Sequence, residues 1–200
     1  MRIAVVTFDG FNEIDSFVAS YILNRIQGWK AEITSPSETV QSANGVRVNA
    51  QRALEFANEA DAVLFGSGRF TREFVADQGI MSRIRIDPRR QLIGSQCSGA
   101  LFLIRLGLVD ALPVCTDLET RPFVEAAGVR VLDQTFFASG NVASAGGCLS
   151  SPHLATWVIW RLLGRDAAET ALGYVAPVGE RAQYIADVLD RVAPFVTSNV

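Results

Sequence analysis

Short apolar runs alternate with amphipathic segments along the chain, as expected for a parallel sheet covered by helices. Residues 2–7 (RIAVVT) form a β-branched run that predicts a strand buried on both faces. From Ile14, apolar residues recur at helical spacing up to Gly28. The alternation continues without repeats or a linker. It predicts one domain, residues 1–200, with a doubly wound (flavodoxin-like), mostly parallel α/β sheet that has helices on both faces.

The same reasoning places the other elements. Further strands are predicted at residues 31–34, 61–65, 91–95, 113–115, 129–132, 135–138 and 142–145. Further helices are predicted at residues 50–58, 71–86, 99–106, 118–126, 151–163, 167–172 and 179–196. The turn at residues 139–141 (SGN) predicts pairing of the last two strands. Ligands bind at the carboxyl ends of the strands in such sheets, so the loops at residues 8–15, 66–70 and 95–99 are candidate site loops.

Composition excludes several classes of protein. A chain that is 49% hydrophobic and 20% charged can bury a core, which excludes disorder. No apolar run approaches the roughly 20 residues of a membrane helix, and residues 1–7 do not resemble a signal peptide. A net charge of -3 argues against nucleic acid as a partner. Three cysteines are an odd number for a disulfide framework, so we expect a cytoplasmic protein.

The segment at residues 94–99 (GSQCSG) carries the clearest chemical signal. A buried strand, a sharp turn with Cys97 at its apex and an immediate helix resemble the nucleophile elbow of hydrolases. The helix N-terminus is expected to lower the pKa of the Cys97 thiol, and the backbone N–H of Ser98 would stabilise an oxyanion. The alternative is that Cys97 is an inert buried thiol.

The chain resembles the ThiJ/PfpI superfamily, with its class I glutamine amidotransferase-like fold, over nearly its whole length. Residues 95–111 (SQCSGALFLIRLGLVDA) look like the elbow of that family and its Leu-x-x-x-Gly-Leu-Leu-Asp-Gly segment. Residues 139–147 (SGNVASAGG) are similar to its Gly-Asn-x-x-Thr-x-Gly-Gly segment, and residues 8–19 (FDGFNEIDSFVA) to its first loop. Residues 174–177 (YVAP) resemble a tyrosine-proline loop of the isonitrile hydratase branch, which is the nearest branch.

The resemblance implies roles for residues in two of the loops. Asp15 takes the place of the acid beside the nucleophile, where it would share a proton with Cys97. Its alternative is helix capping, and Glu13 is the competing carboxylate. The Gly68 N–H would be the second oxyanion donor, within a GSG sequence (residues 66–68) that replaces the Pro-Gly-Gly of the family; Ser67 is a candidate substrate-binding residue there.

A histidine of the family is missing. Many members carry Thr-Thr-His where this chain has CTD (residues 115–117), so the usual Cys-His-acid triad cannot form. Thr116 and Asp117 are candidate substrate-binding residues by this alignment, and Asp117 is equally placed to cap the next helix. The single histidine, His153, is interpreted as packing. Cys115, Cys148 and His153 lack a metal-ligand spacing, so no metal or cofactor is assigned.

Three functions remain open at this point. The first is a cysteine-dependent hydratase or lyase for a small electrophile such as an isonitrile, with Cys97 as nucleophile, Asp15 as acid and base, and Gly68 and Ser98 as N–H donors. The second is an oxidative-stress protein in which Cys97 becomes a sulfinate. The third is a regulatory binding module without turnover. The resemblance also implies a homodimer that contacts through the first helix and the loop after Gly10; protease activity is not expected.

Overall fold

The computed structural model describes residues 1–196, which surround a seven-stranded sheet. The strands are β1 Arg2–Val6, β2 Lys30–Ser35, β3 Thr39–Gln41, β4 Arg47–Asn49, β5 Arg52–Ala53, β6 Ala62–Phe65, β7 Leu92–Gln96, β8 Phe136–Ser139 and β9 Val142–Ala145. The order across the sheet is β5-β2-β1-β6-β7-β9-β8. Neighbouring strands are parallel except β8, which runs antiparallel to β9; β3 and β4 form a separate antiparallel hairpin.

Helices cover both faces of this sheet. They are α1 Glu13–Leu23, α2 Thr71–Ala76, α3 Gln78–Met81, α4 Ala100–Arg105, α5 Arg121–Ala126, α6 Ser151–Leu163, α7 Arg165–Leu172 and α8 Arg181–Val192. Short 3-10 segments lie at Leu54–Asn58, Cys97–Gly99, Cys148–Ser150 and Ala193–Phe195. Within residues 1–196, no helix has the length and apolar character needed to cross a membrane.

The core consists of two apolar layers, because alternate residues of each central strand point to opposite faces. Ile3 and Val5 of β1 pack with α1, α6, α7 and α8. Ala4 and Val6 of the same strand pack on the other side with α4 and the 3-10 segment at Leu54–Asn58. The two-sided burial explains why the central strands are continuous apolar runs, and it confirms the predicted doubly wound architecture.

Several predicted elements differ from the structure. The helix predicted at residues 71–86 is two short helices, α2 and α3, because Asp77 between them adopts an extended ψ of 108° and its side chain caps α3. The helix predicted at residues 50–58 is instead the strand β5 followed by a 3-10 segment. The strands predicted at residues 113–115 and 129–132 reduce to a single bridge between Val114 and Val131.

Candidate active site

The three loops chosen from the sequence meet at the carboxyl edge of the sheet. Asn12 N–H donates to the Ser67 carbonyl at 2.9 Å, and Arg69 N–H donates to the Gly10 carbonyl at 2.8 Å. These bonds join the first loop to the loop after β6. The third loop follows β7, which pairs in parallel with β6 and so ends at the same edge. The three loops therefore lie together at one edge of the sheet, as the strand-end rule predicts.

Cys97 sits at the turn between β7 and α4, as the predicted nucleophile elbow requires. Its φ of 48° makes it the one non-glycine residue with positive φ among residues 1–196. Such a conformation is costly for a residue with a Cβ, and it persists where the surroundings demand it. Close packing at Gly99 is one such constraint, because a Cβ at this position would lie 2.5 Å from the Phe65 carbonyl oxygen. The elbow is thus pressed against the end of β6.

Asp15 lies in the first turn of α1 and is only 3% exposed. Ser67 Oγ donates to its Oδ2 at 2.5 Å, and its Oδ1 is buried without a partner. A carboxyl oxygen of Asp15 lies within 4.8 Å of Cys97 Sγ. Burial raises the pKa of Asp15, and the hydrogen bond from Ser67 offsets only part of that rise. Asp15 is therefore suited to hold a proton beside the sulfur.

Glu13, the competing carboxylate, faces a different group of residues. Its carboxylate accepts hydrogen bonds from Ser42 Oγ at 2.6 Å and from Asn44 Nδ2 at 3.0 Å. The Ser42 bond lowers the pKa of Glu13, so this side chain stays ionised. The structure brings Asp15, and not Glu13, to Cys97.

The expectation of a lowered thiol pKa at Cys97 is wrong. Burial raises the pKa of the Cys97 thiol far above its ordinary value, and the negative charge of Asp15 adds to the effect. The reason is one of magnitude: a helix terminus contributes about 0.3–1 kcal/mol, whereas removing a charge from water costs several kcal/mol. Cys97 is 3% exposed, so desolvation prevails and the resting side chain is a neutral thiol.

The expected oxyanion donor Gly68 N–H is already engaged. It donates to Ser98 Oγ at 3.2 Å, and Ser98 Oγ lies 2.7 Å from Thr71 Oγ1. Thr71 Oγ1 in turn donates to the Gly68 carbonyl at 2.8 Å, so Ser98 is the donor to Thr71. The three residues close a ring of hydrogen bonds. A substrate that uses the Gly68 N–H has to displace the Ser98 hydroxyl.

Thr116 and Asp117 make contacts within the protein. Thr116 Oγ1 donates to the Cys97 carbonyl at 2.8 Å, which ties the elbow to the following loop. Asp117 Oδ1 accepts from Thr120 N–H at 2.8 Å and so closes the turn before α5. The helix expected from Leu118 begins only at Arg121, with Thr120 before it, so Asp117 does not cap it. Asp117 is also close enough for its charge to raise the pKa of Asp15 and Cys97. Both residues line a cleft of about 640 Å³.

A second cleft, of about 680 Å³, opens above the site. Ser67, Gly68 and Ser98 form part of its wall. Its rim carries Arg72, whose guanidinium lies 4.4 Å from the ring centre of Phe123. Cys97 is buried and does not line the cleft, although its neighbour Ser98 does.

Cys148 is the residue that sequence reasoning missed. Its sulfur, Cys97 Sγ and a carboxyl oxygen of Asp15 all lie within 4.8 Å of one another. Two sulfurs and a carboxylate are ligand types that zinc accepts, but they are one ligand short of a closed structural zinc site. A signal was present: Gln96 pairs with Ala145 in the β7–β9 ladder, so Cys97 and Cys148 both follow the ends of neighbouring parallel strands.

His153 packs away from the elbow chemistry. It is 6% exposed, its Nδ1 contacts the Ser150 carbonyl at 3.2 Å, and its ring stacks on Phe136 at 6.4 Å between centres. Burial lowers the pKa of His153, so the ring is neutral at pH 7. These contacts agree with the packing role inferred from the sequence.

The fold and the site together define a class: α/β proteins with a cysteine on a strained strand-to-helix turn at the carboxyl edge of a parallel sheet. The family model of the DJ-1/PfpI family matches residues 1–159, so the chain belongs to the DJ-1/PfpI family. A search of curated proteins gives no match.

Solved structures show the same fold. Schizosaccharomyces pombe DJ-1 is 15% identical with a TM-score of 0.76, and the match covers 88% of this chain and 100% of that one. A ThiJ/PfpI family protein from Pseudomonas syringae is 18% identical with a TM-score of 0.78, covering 98% and 87%. Oxidized Toxoplasma gondii DJ-1 is 17% identical with a TM-score of 0.72, covering 87% and 97%. At these identities the likeness concerns the fold alone.

Proposed function

We propose that the protein is a cysteine-dependent enzyme for a small electrophile, with hydration of an isonitrile as its reaction type. The observation that carries the proposal is the pairing of Asp15 with Cys97. A buried carboxyl with a raised pKa and a free oxygen lies within 4.8 Å of the elbow sulfur. Such a carboxyl holds its proton to a higher pH than an ordinary Asp, and burial makes an acid into a proton donor in other enzyme sites in the same way.

Isonitrile chemistry suits a site whose thiol and carboxyl are both protonated at rest. The terminal carbon of an isonitrile accepts a proton and a nucleophile at the same atom. Asp15 donates its proton to that carbon while the Cys97 sulfur bonds to it, and the thiol proton passes back to Asp15. The product of this step is a thioimidate. Water then adds to the carbon, the carbon–sulfur bond breaks, a proton returns to the sulfur and an N-substituted formamide leaves.

The surrounding residues have supporting roles in this reaction. Ser67 holds Asp15 in place through the 2.5 Å hydrogen bond. The N–H groups of Gly68 and Ser98 would stabilise negative charge that develops on the substrate, once the Ser98 hydroxyl has moved from Gly68. Ser67, Thr116 and Asp117 remain proposed substrate contacts. The reaction needs water and no cofactor, and neither a histidine nor a thiolate at rest is required.

Turnover of isonitriles tests the proposal. Purified protein is incubated with small aliphatic and aromatic isonitriles, and the formamide is quantified by liquid chromatography with mass spectrometry. We expect Cys97→Ala and Asp15→Asn each to lower kcat/KM at least about 100-fold, the lower end of general acid–base contributions. Cys115→Ser, a buried thiol outside the site, is the matched control and should keep wild-type activity. Formamide at buffer level with wild-type protein, or full activity in Cys97→Ala, would refute the proposal.

A redox role of the same cysteine is the second candidate, and the nearness of Cys148 to Cys97 favours it. For the quaternary structure we propose a homodimer that forms through α1, where Ile14 and Tyr21 are 42% and 48% exposed. Sedimentation equilibrium on wild-type protein and Tyr21→Glu tests this dimer: a monomeric wild type would contradict it. We also propose a cytoplasmic location, on the odd cysteine count.

A further inference from the structure

Cys148 lies beside the candidate nucleophile without a part in the proposed reaction. It begins the 3-10 segment Cys148–Ser150 that precedes α6, directly after Gly146 and Gly147. It is partly exposed, and its Sγ lies within 4.8 Å of Cys97 Sγ. The third thiol, Cys115, is buried and does not belong to this cluster. Two thiols from distant parts of the chain therefore lie next to each other in the fold.

We propose that Cys97 and Cys148 form a reversible intramolecular disulfide when the protein meets a hydroperoxide. The disulfide removes the Cys97 thiol from chemistry until a thiol reductant restores it. The disulfide is inferred from the geometry of the two sulfurs, whereas the loss of activity rests on the proposed function.

The surroundings of the two sulfurs assign the order of events. Asn12 Nδ2 donates a hydrogen bond to Cys148 Sγ at 3.1 Å, and the side chain of Asn12 is fixed because its Oδ1 caps α1 through Ile14 N–H. This hydrogen bond favours the thiolate, the reactive form. Burial and the charge of Asp15 still raise the pKa of Cys148, but burial, the largest cause for both thiols, acts more strongly on Cys97. Cys148 is also the more exposed of the two thiols. Cys148 is therefore the thiol that a peroxide meets first.

The chemistry balances in two steps. The Cys148 thiolate attacks one peroxide oxygen and the oxygen–oxygen bond breaks. Cys148 becomes a sulfenic acid, and the other oxygen takes a proton and leaves as an alcohol, or as water when the oxidant is hydrogen peroxide. The Cys97 sulfur then attacks the sulfenic sulfur, a sulfur–sulfur bond forms and hydroxide departs. The hydroxide takes up the Cys97 proton, directly or through Asp15, and leaves as water. The two thiols are oxidised and the peroxide is reduced.

Closing the sulfur–sulfur gap needs a local adjustment, since a disulfide bond is about 2.05 Å long. Both side chains can rotate about their Cα–Cβ bonds, and Cys148 follows Gly147, whose φ is 82°. One contact opposes the movement: Gln96 Nε2 donates to the Gly147 carbonyl at 2.6 Å. The same Gln96 amide lies 3.7 Å from Cys97 Sγ, so it bridges the two loops that approach each other.

Peptide mapping tests the inference on the full-length chain. Protein is treated with a slight molar excess of hydrogen peroxide, blocked with N-ethylmaleimide without reductant, digested and analysed by mass spectrometry. We expect one linked peptide pair containing Cys97 and Cys148, which dithiothreitol separates. Cys115→Ser is the matched control and should form the same pair. Wild-type mapping does not depend on the folding of any variant.

Two variants sharpen the result. In Cys148→Ser we expect no linked pair and a Cys97 that stays a free thiol, because it is buried and its raised pKa keeps it neutral. In Cys97→Ser we expect a sulfenic acid at Cys148, trapped by a cyclic 1,3-diketone. Oxidation of Cys97 in Cys148→Ser as fast as in the wild type would show that peroxide reaches Cys97 without Cys148, and it would overturn the inference. Two free thiols after treatment, or a covalent dimer on a non-reducing gel, would also overturn it.

Formamide production is measured in parallel on the same samples. We expect oxidation to lower it at least tenfold and dithiothreitol to restore it. A linked pair in a protein that never makes formamide would refute the proposed function and leave the disulfide standing. Formamide production by a protein that forms no linked pair would refute the disulfide and leave the proposed function standing.

Discussion

Removing the Ser98 hydroxyl breaks the ring that connects the elbow to the loop after β6. Ser98→Ala leaves the Gly68 N–H and Thr71 Oγ1 without their partner in the ring. A hydrogen bond contributes about 1 kcal/mol net, and two are lost. The 3.2 Å bond is long, and Ser98 is only partly buried, so water replaces part of the loss. We therefore expect the free energy of unfolding to fall by about 1–2 kcal/mol.

Urea unfolding followed by tryptophan fluorescence measures this change, because Trp157 is fully buried in the core. Ser82→Ala is the control: this change also removes a hydrogen-bonded hydroxyl, one that donates to the Gly79 carbonyl at 3.0 Å, but on an exposed helix end. For Ser82→Ala we expect the free energy of unfolding to change by no more than about 0.5 kcal/mol. A double-mutant cycle with Thr71→Val should give a coupling energy of about 0.5 kcal/mol or more. A Ser98→Ala effect no larger than the control, together with strict additivity, would refute the ring.

Three further predictions follow from the same geometry. Gly99→Ala should destabilise the fold by about 1–3 kcal/mol in the same urea assay, because the new Cβ meets the backbone oxygens of Phe65 and Gly66. Gly79→Ala is the control and should cost clearly less, because its Cβ meets only the Asp77 side chain, at 3.1 Å; equal effects would contradict the pressed elbow. Alkylation of Cys97, read by mass spectrometry against pH, should show a pKa above its ordinary value of about 8.5 that falls in Asp15→Asn; a value below 8.5 would contradict the burial argument. The raised pKa of Asp15 means that the folded state binds this proton more tightly than the unfolded state, so the free energy of unfolding falls as pH rises from about 3.9 through the folded pKa. Asp15→Asn should therefore lose less stability than wild type between pH 4 and pH 8. Identical pH profiles of stability would contradict the raised pKa.

Local pattern was enough to predict the sheet and the position of its site. The central strands are apolar because they are covered on both faces, and this makes them visible as runs. α6 was predicted with the bounds that the structure shows, since apolar residues recur throughout its thirteen positions. Cys97 and Asp15 were found because the strand-end rule and the family resemblance agreed on the same loops.

The features that could not be predicted from the sequence depend on strand order and on burial. The hairpin of β3 and β4 has three-residue strands with mostly polar residues, so no periodicity marks it. Cys148 meets Cys97 only because β9 pairs with β7, a pairing between segments about fifty residues apart. The direction of the Cys97 pKa shift follows from the desolvation of the thiol, which a helix-terminus argument does not contain.

The central claim is that Asp15 is a carboxylic acid beside a neutral Cys97 thiol. The most direct measurement is the carbon-13 chemical shift of the Asp15 carboxyl as a function of pH, with the signal assigned by its absence in Asp15→Asn. We expect a pKa above the ordinary value of about 3.9, because burial outweighs the hydrogen bond from Ser67. A pKa at or below 3.9, or a carboxyl that is fully ionised at pH 7, would contradict the central claim, and the proton-sharing pair would be wrong.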